Sequence, residues 1–213
     1  MALLPPITDL LSPAGIVDQQ FKLVSRQEYS RVASGMTYGR DLGPAIWKAS
    51  FTTNPMYHDD ALTVEARINS LDGVNRAFYM GDVRRKMPRA YPTGNFADTG
   101  KISAINANGR MLSLNGLPAN FKITAGDYMQ YTYAGGTITA LLQVVNNVTA
   151  TAAGVASNVE FRPFIPVGTA VNDVVKFKNP QALFTMDPDS FQQEVVDGCF
   201  TQLSFSATQS FLR

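Results

Sequence analysis

Residues 98–164 read DTGKISAINANGRMLSLNGLPANFKITAGDYMQYTYAGGTITALLQVVNNVTATAAGVASNVEFRPF. Short alternating runs, KISAI (101–105), RMLSL (110–114), DYMQYTYAGG (127–136), TITALLQVV (137–145) and VEFRPF (159–164), are broken by the turn-rich stretches NANG, NGLPANF and TAGD. Alternation with a period of two puts successive side chains on opposite faces of a strand, and Gly, Pro, Asn and Asp supply the reversals. About five strands in so short a stretch have the size of a five-stranded, partly open barrel of the OB type. Residues 98–175 are therefore expected to form a small β-barrel set into a larger domain. The flanks, 1–97 and 176–213, are each too short to finish a fold and are expected to complete one another.

Extended chain opens the first flank with QFKLVSRQEYSRVASGM (20–36) and continues in GPAIWKASFTTN (43–54), where Trp47, Ala49 and Phe51 share one face of a strand. His58-Asp59-Asp60 then introduces ALTVEARINSLDG (61–73). Here Ala61, Val64, Ile68 and Leu71 recur at helical spacing, acidic residues lie at the positive helix start, and Gly73 marks the stop. NRAFYMGD alternates again, and GDVRRKMPRAYPTGN (81–95) is a Pro- and Gly-punctuated exit toward the barrel. In the second flank KFKNPQALFTM (176–186) reads as extended, DPDSFQQEVVDG (187–198) as a turn followed by a short loop or bulge, and CFTQLSFSATQSF (199–211) as a strand through Leu203, Phe205 and Ala207. A strand with that pattern needs a sheet to join, and the N-terminal flank offers one. The expected class is mainly β with one short helix: a split β-sandwich-like domain, 1–97 plus 176–213, with an inserted OB-like β-barrel, 98–175.

Charged residues are 16% of the chain, below the usual quarter, so much of the surface is uncharged, as suits contacts between subunits. Eighteen Lys and Arg against seventeen Asp and Glu leave no global field for nucleic acid or an anionic membrane. The apolar N-terminus MALLPPITDLLSPAGIV lacks a basic leader and is interrupted by Pro5, Pro6 and Pro13, so neither a signal peptide nor a membrane span is expected, and synthesis in the cytosol is. Cys199 is the single cysteine and is expected as a small buried or half-buried hydrophobe.

The residues give no active site. His58 is the single histidine and stands at a helix start, where a capping or surface role outweighs that of a catalytic base. One His and one Cys far apart cannot make a four-ligand zinc site. Asp187 and Asp189, with Glu194, are the only carboxylate grouping to weigh for a hydrolase, and Asp-Pro-Asp-Ser reads first as a turn. No catalytic, cofactor-binding or metal-binding residue is assigned. Arg84, Arg85, Lys86 and Arg89 form the charge cluster of the chain, in a loop with Tyr79, Pro88 and Tyr91, and read equally as a solvated loop or as contacts between subunits, with phosphate contact a distant third. Tyr128, Tyr131 and Tyr133 are the stacking candidates if the barrel binds a single nucleic-acid strand or a glycan. Tyr131 and Tyr133 share one face of their strand, so core packing competes with that role, and four cations against four carboxylates in 98–175 give little support for a polyanion.

The order of parts, with GLP at 116–118 leading into AGDY at 125–128 and a C-terminal return ending LSFSATQSFL, resembles the distal tail protein family of long-tailed bacteriophages. The likeness is one of architecture and length across the whole chain. It implies a structural virion protein: a homohexameric ring at the distal end of the tail tube, bound to the tail tube protein on one side and to the hub and baseplate on the other, with its barrels projecting outward. It implies assembly in the host cytoplasm, residence at the tail tip, no cofactor, no membrane and no specific nucleic acid. Other ring proteins of phage tails, the tube, terminator and connector proteins, share much of this composition and form the alternative, beside a glycan-binding or single-strand-binding module.

Overall fold

The computed structural model describes residues 5–12 and 14–211. Residues 1–4 and Pro13 of the apolar N-terminal stretch, and residues 212–213, lie outside the described residues. The first flank supplies β1 (Ile16–Arg31), β2 (Thr37–Thr53), the short β3 (Met56–Tyr57), the helix α1 (His58–Asn69) and β4 (Phe78–Met80). The middle supplies β5 (Lys101–Ile105), β6 (Met111–Asn115), β7 (Lys122–Ile123), β8 (Tyr128–Tyr133), β9 (Ile138–Val144), β10 (Val148–Thr149), β11 (Ala156–Arg162) and β12 (Val175–Lys176). The second flank supplies β13 (Ala182–Met186), β14 (Gln192–Val196) and β15 (Phe200–Gln209). Among the described residues the chain is mainly β with one α-helix.

The flanks form one antiparallel sheet in the order β1-β2-β15-β13-β4, with β3 and β14 on either side of the first half of β15. Phe205 stands opposite Phe51 and Ala207 opposite Ala49, so the last strand is threaded between the first hairpin and β13. Alternation explains the placement: Leu203, Phe205 and Ala207 join Trp47, Ala49 and Phe51 on a buried apolar face, while Ser204, Ser206 and Thr208 fall on the other, half-exposed face. The layer opposing the apolar face differs from a second sheet of the flanks. Helix α1 through Val64 and Ile68, the segment with Leu10 and Leu11, and Tyr128 and Leu141 of the barrel cover it. All the flank strands are used in a single sheet, so other elements must bury its face.

Helix α1 buries Ala61, Val64 and Ile68, carries Asp59 and Asp60 in its first turn, and ends at Ser70; Asp72 and Gly73 follow with φ of 49° and 66°. The stretch 187–198 departs from the expected turn and loop. Asp187 to Ser190 is a turn, but Gln192–Val196 is a strand paired with β15. Its residues 192–195 are exposed, so no burial imposes alternation and the periodic signal is missing. The Asp197-Gly198 pair, both at positive φ, was the available hairpin signal. Cys199 lies in this hairpin loop and is exposed, which corrects its expected burial: the loop reaches beyond the core.

The middle strands run β12-β8-β9-β11-β6-β5, all antiparallel. The circuit closes where Ile102 N–H donates to Asp173 O at 3.0 Å and Val175 N–H to Gly100 O at 2.9 Å. The barrel therefore has six strands in a closed ring where five in a partly open one were expected. The sixth is the two-residue β12, too short to register as a run. Met129, Tyr131, Leu142, Phe161 and Phe177 are among the side chains filling the interior. Phe177 and the pairing of Lys176 with Gln130 carry the barrel slightly past residue 175. Strand β9 reads as a nearly unbroken apolar run because both its faces are covered, Ala140 and Leu142 by the barrel interior and Leu141 by the outer sheet. Among the described residues no helix is long and apolar enough to cross a membrane.

Candidate functional site

The β1–β2 hairpin extends well past the sheet. Strand β15 pairs with β2 between Thr52 and Lys48, whereas the β1–β2 ladder runs on to Arg31 opposite Thr37. Every residue from 25 to 42 is exposed. Tyr29 (74% exposed), opposite Gly39, and Tyr38 (60%), opposite Ser30, point to opposite faces of this ribbon, and Met36 and Leu42 are exposed beside them. Gln27 Nε2 donates to Asp41 Oδ1 at 2.6 Å, the single side-chain hydrogen bond recorded across the arm. A two-stranded ribbon with no third strand and no covering layer is at best marginally stable in water, and an open edge strand invites pairing with another chain. The arm thus leaves both of its faces and its outer backbone groups open.

The arginine loop lies where sheet and barrel meet. Asp82 is buried and accepts hydrogen bonds from Arg84 N–H at 2.9 Å, from the Arg84 guanidinium at Nε and Nη2, and from the Tyr128 hydroxyl at 3.1 Å. Asp127, fully buried at the TAGD turn, accepts from Thr124 N–H and Oγ1 and from Arg89 N–H at 2.8 Å, with the Arg85 guanidinium at 3.8 Å. Burial pushes the Asp82 carboxyl up, but the Arg84 and Tyr128 donors outweigh it and hold it below its ordinary value. Burial, with Asp82 beside it, raises the Tyr128 hydroxyl. Arg84 and Arg85 are therefore engaged within the chain, while the side chains of Lys86 and Arg89 make no ion pair or hydrogen bond among the described residues. These two buried carboxylates with donors from both bodies were hidden in the sequence, because Asp127 joins the loop only after the chain has run through the first strands of the barrel.

Further bonds tie the bodies together. Trp47 Nε1 donates to Leu141 O at 2.8 Å, and Gln181 N–H donates to Gln130 Oε1 at 2.9 Å. Phe21 stacks on Trp47 at 5.1 Å, and Tyr128 packs edge-on against both. Tyr128, Tyr131 and Tyr133 are all buried, the first at this junction and the other two inside the barrel, so none is presented as a stacking platform.

The remaining chemical candidates are His58, Asp187, Asp189 and Glu194. His58 Nδ1 lies 2.7 Å from Thr201 Oγ1 and Nε2 lies 3.1 Å from Gly198 O, fastening the start of α1 to the β14–β15 hairpin. Asp187 accepts from Ser206 Oγ and Thr208 Oγ1, fixing the turn after β13, while Asp189 sits at φ 56° in that turn and Glu194 lies out on β14. Among the described residues no three His, Cys, Asp or Glu side chains are grouped to hold a metal ion. An apolar hollow of about 410 Å³ between barrel and sheet is lined by Pro44, Leu141, Phe164, Val167 and Phe211, with Tyr133 and Gln209 as its polar side chains. No protein-family model matches this chain, and no curated protein matches it.

Proposed function

We propose that this chain is a structural virion subunit that assembles into a ring at the distal end of a phage tail tube, six copies to the ring, linking the tube to the hub and presenting its barrels outward. The β1–β2 arm is the observation that carries the reading. An eighteen-residue ribbon exposed on both faces, with two tyrosines, Met36 and Leu42 in solvent, is unfavourable for a monomer and useful to a subunit whose neighbours bury it. The split sheet supports the same reading: threading β15 between β2 and β13 fixes the base of the arm against the core, so the arm is presented from a rigid support. The family resemblance in the order of parts supplies the place in the tail and the number of copies.

Multi-angle light scattering of the purified chain, alone and mixed with tube protein, tests this directly. A hexamer in either sample, visible as rings by negative-stain electron microscopy, is the expected result. Replacing residues 26–43 by an Asn-Gly turn should abolish the ring and leave the circular dichroism of the subunit intact. A wild-type chain that stays monomeric in both samples and is missing from purified virions overturns the proposal.

A further inference from the structure

We infer that the arm of one copy is received by the acidic β14 edge of a second copy of this chain, strand beside strand. The inference rests on the ring reading above and names the surfaces that would join the ring. Among the described residues strand β1 pairs with β2 alone, and β14 pairs with β15 alone, so each leaves a row of backbone donors and acceptors open. The two open edges lie on opposite flanks of the same sheet, and Val195 stands 65% exposed on the second.

The charges on these edges are complementary. Residues 22–48 carry Lys22, Arg26, Arg31, Arg40 and Lys48 against Glu28 and Asp41; residues 187–199 carry Asp187, Asp189, Glu194 and Asp197 and no cation. Lys22 stands directly opposite Lys48 on one face of the ladder, an arrangement that costs stability unless an anion is shared between them. Among the described residues the side chains of all five cations lack an ion pair, and so do those of Asp189, Glu194 and Asp197. Each chain thus holds an unpaired basic edge and an unpaired acidic edge. Backbone pairing supplies the adhesion and the charges set orientation and register. The contact is heterologous, since one copy uses its arm on one neighbour and its β14 on the other, so it repeats until the ring closes.

Charge reversal on each side separately provides the test. One variant carries Arg31→Glu and Arg40→Glu. The other carries Glu194→Lys and Asp197→Asn, where Asn tolerates the left-handed backbone at 197. All four positions are exposed, so circular dichroism and Trp47 fluorescence should match the wild type. Light scattering should show self-association weakened roughly a hundredfold or more in each variant. A one-to-one mixture should recover full-sized oligomers with both variants incorporated, and so should a chain carrying all four substitutions. If the wild type assembles and either variant assembles equally well, or the mixture stays dissociated, the inference fails while the ring reading stands. If the wild type fails to assemble with or without tube protein, the ring reading fails first.

Discussion

The carboxylate of Asp82 lies at the point where the connector leaves the sheet and touches the barrel, with donors from Arg84 on its own loop and from Tyr128 on β8. Burying a carboxylate is costly, and here the cost is offset by charge-assisted bonds that favour the ionised form over the protonated one. Asp82→Asn keeps the shape but removes the charge, and should lower stability by about 1–3 kcal/mol at neutral pH. Urea unfolding followed by the fluorescence of Trp47, the single tryptophan, reads this directly. Because the folded-state pKa is depressed, the contribution is complete above the ordinary value of 3.8 and is lost as the pH falls below it, through the folded-state pKa. The gap between wild type and variant should therefore persist through mild acid and close only at lower pH. Equal midpoints at pH 7 would mean that Arg84 and Tyr128 find water at no cost.

At the level of elements, the outgoing connector at Gly81 and the returning connector at Pro180 pass in backbone contact, and a methyl group at Gly81 would collide with the Pro180 carbonyl oxygen. Gly81→Ala should cost about 1–3 kcal/mol, since backbone on both sides must shift. A thermal midpoint unchanged by calorimetry would show that the crossing is loose. Such a crossing is invisible in the sequence, where 81 and 180 are simply far apart. What was legible follows burial: Trp47, Ala49 and Phe51 on β2, Leu203, Phe205 and Ala207 on β15, and Ala61, Val64 and Ile68 on α1 alternate or recur because one side of each element faces the core. Exposed elements left no such trace. Strand β14 is exposed over residues 192–195, so composition alone does not separate strand from loop there; extended chain over 20–36 is legible in the sequence, but not that its outer half, paired with 37–42, runs free of the sheet. The cluster at residues 84–89 was visible as charge with Asp82 two residues before it, whereas Asp127, and the Tyr128 hydroxyl on Asp82, required the fold to bring them to it.

For the whole molecule the division into barrel and outer sheet is unequal in energy. The barrel closes on its own interior from Ile102 to Phe177, and Tyr91 stacks flat on Phe121 at 4.6 Å to seal one end. The outer sheet has no such independence. Part of its core is Tyr128 and Leu141, borrowed from the outward faces of β8 and β9, and the Trp47 indole N–H has its acceptor on Leu141. A fragment of residues 90–178 should therefore fold cooperatively by itself. The complementary chain, with 98–177 excised and replaced by a short Gly-Ser link, loses the cover over Phe21 and Trp47 and the Leu141 acceptor of the Trp47 indole N–H, a deficit of at least about 3 kcal/mol. It should give a red-shifted Trp47 emission and a lower urea midpoint than the intact protein. If the remainder instead unfolds at the wild-type midpoint, the two bodies are energetically independent, and the barrel is an appendage; if it weakens as expected, the barrel is a structural layer of the sheet that bears the arm, and loss of the barrel disables assembly through the subunit itself.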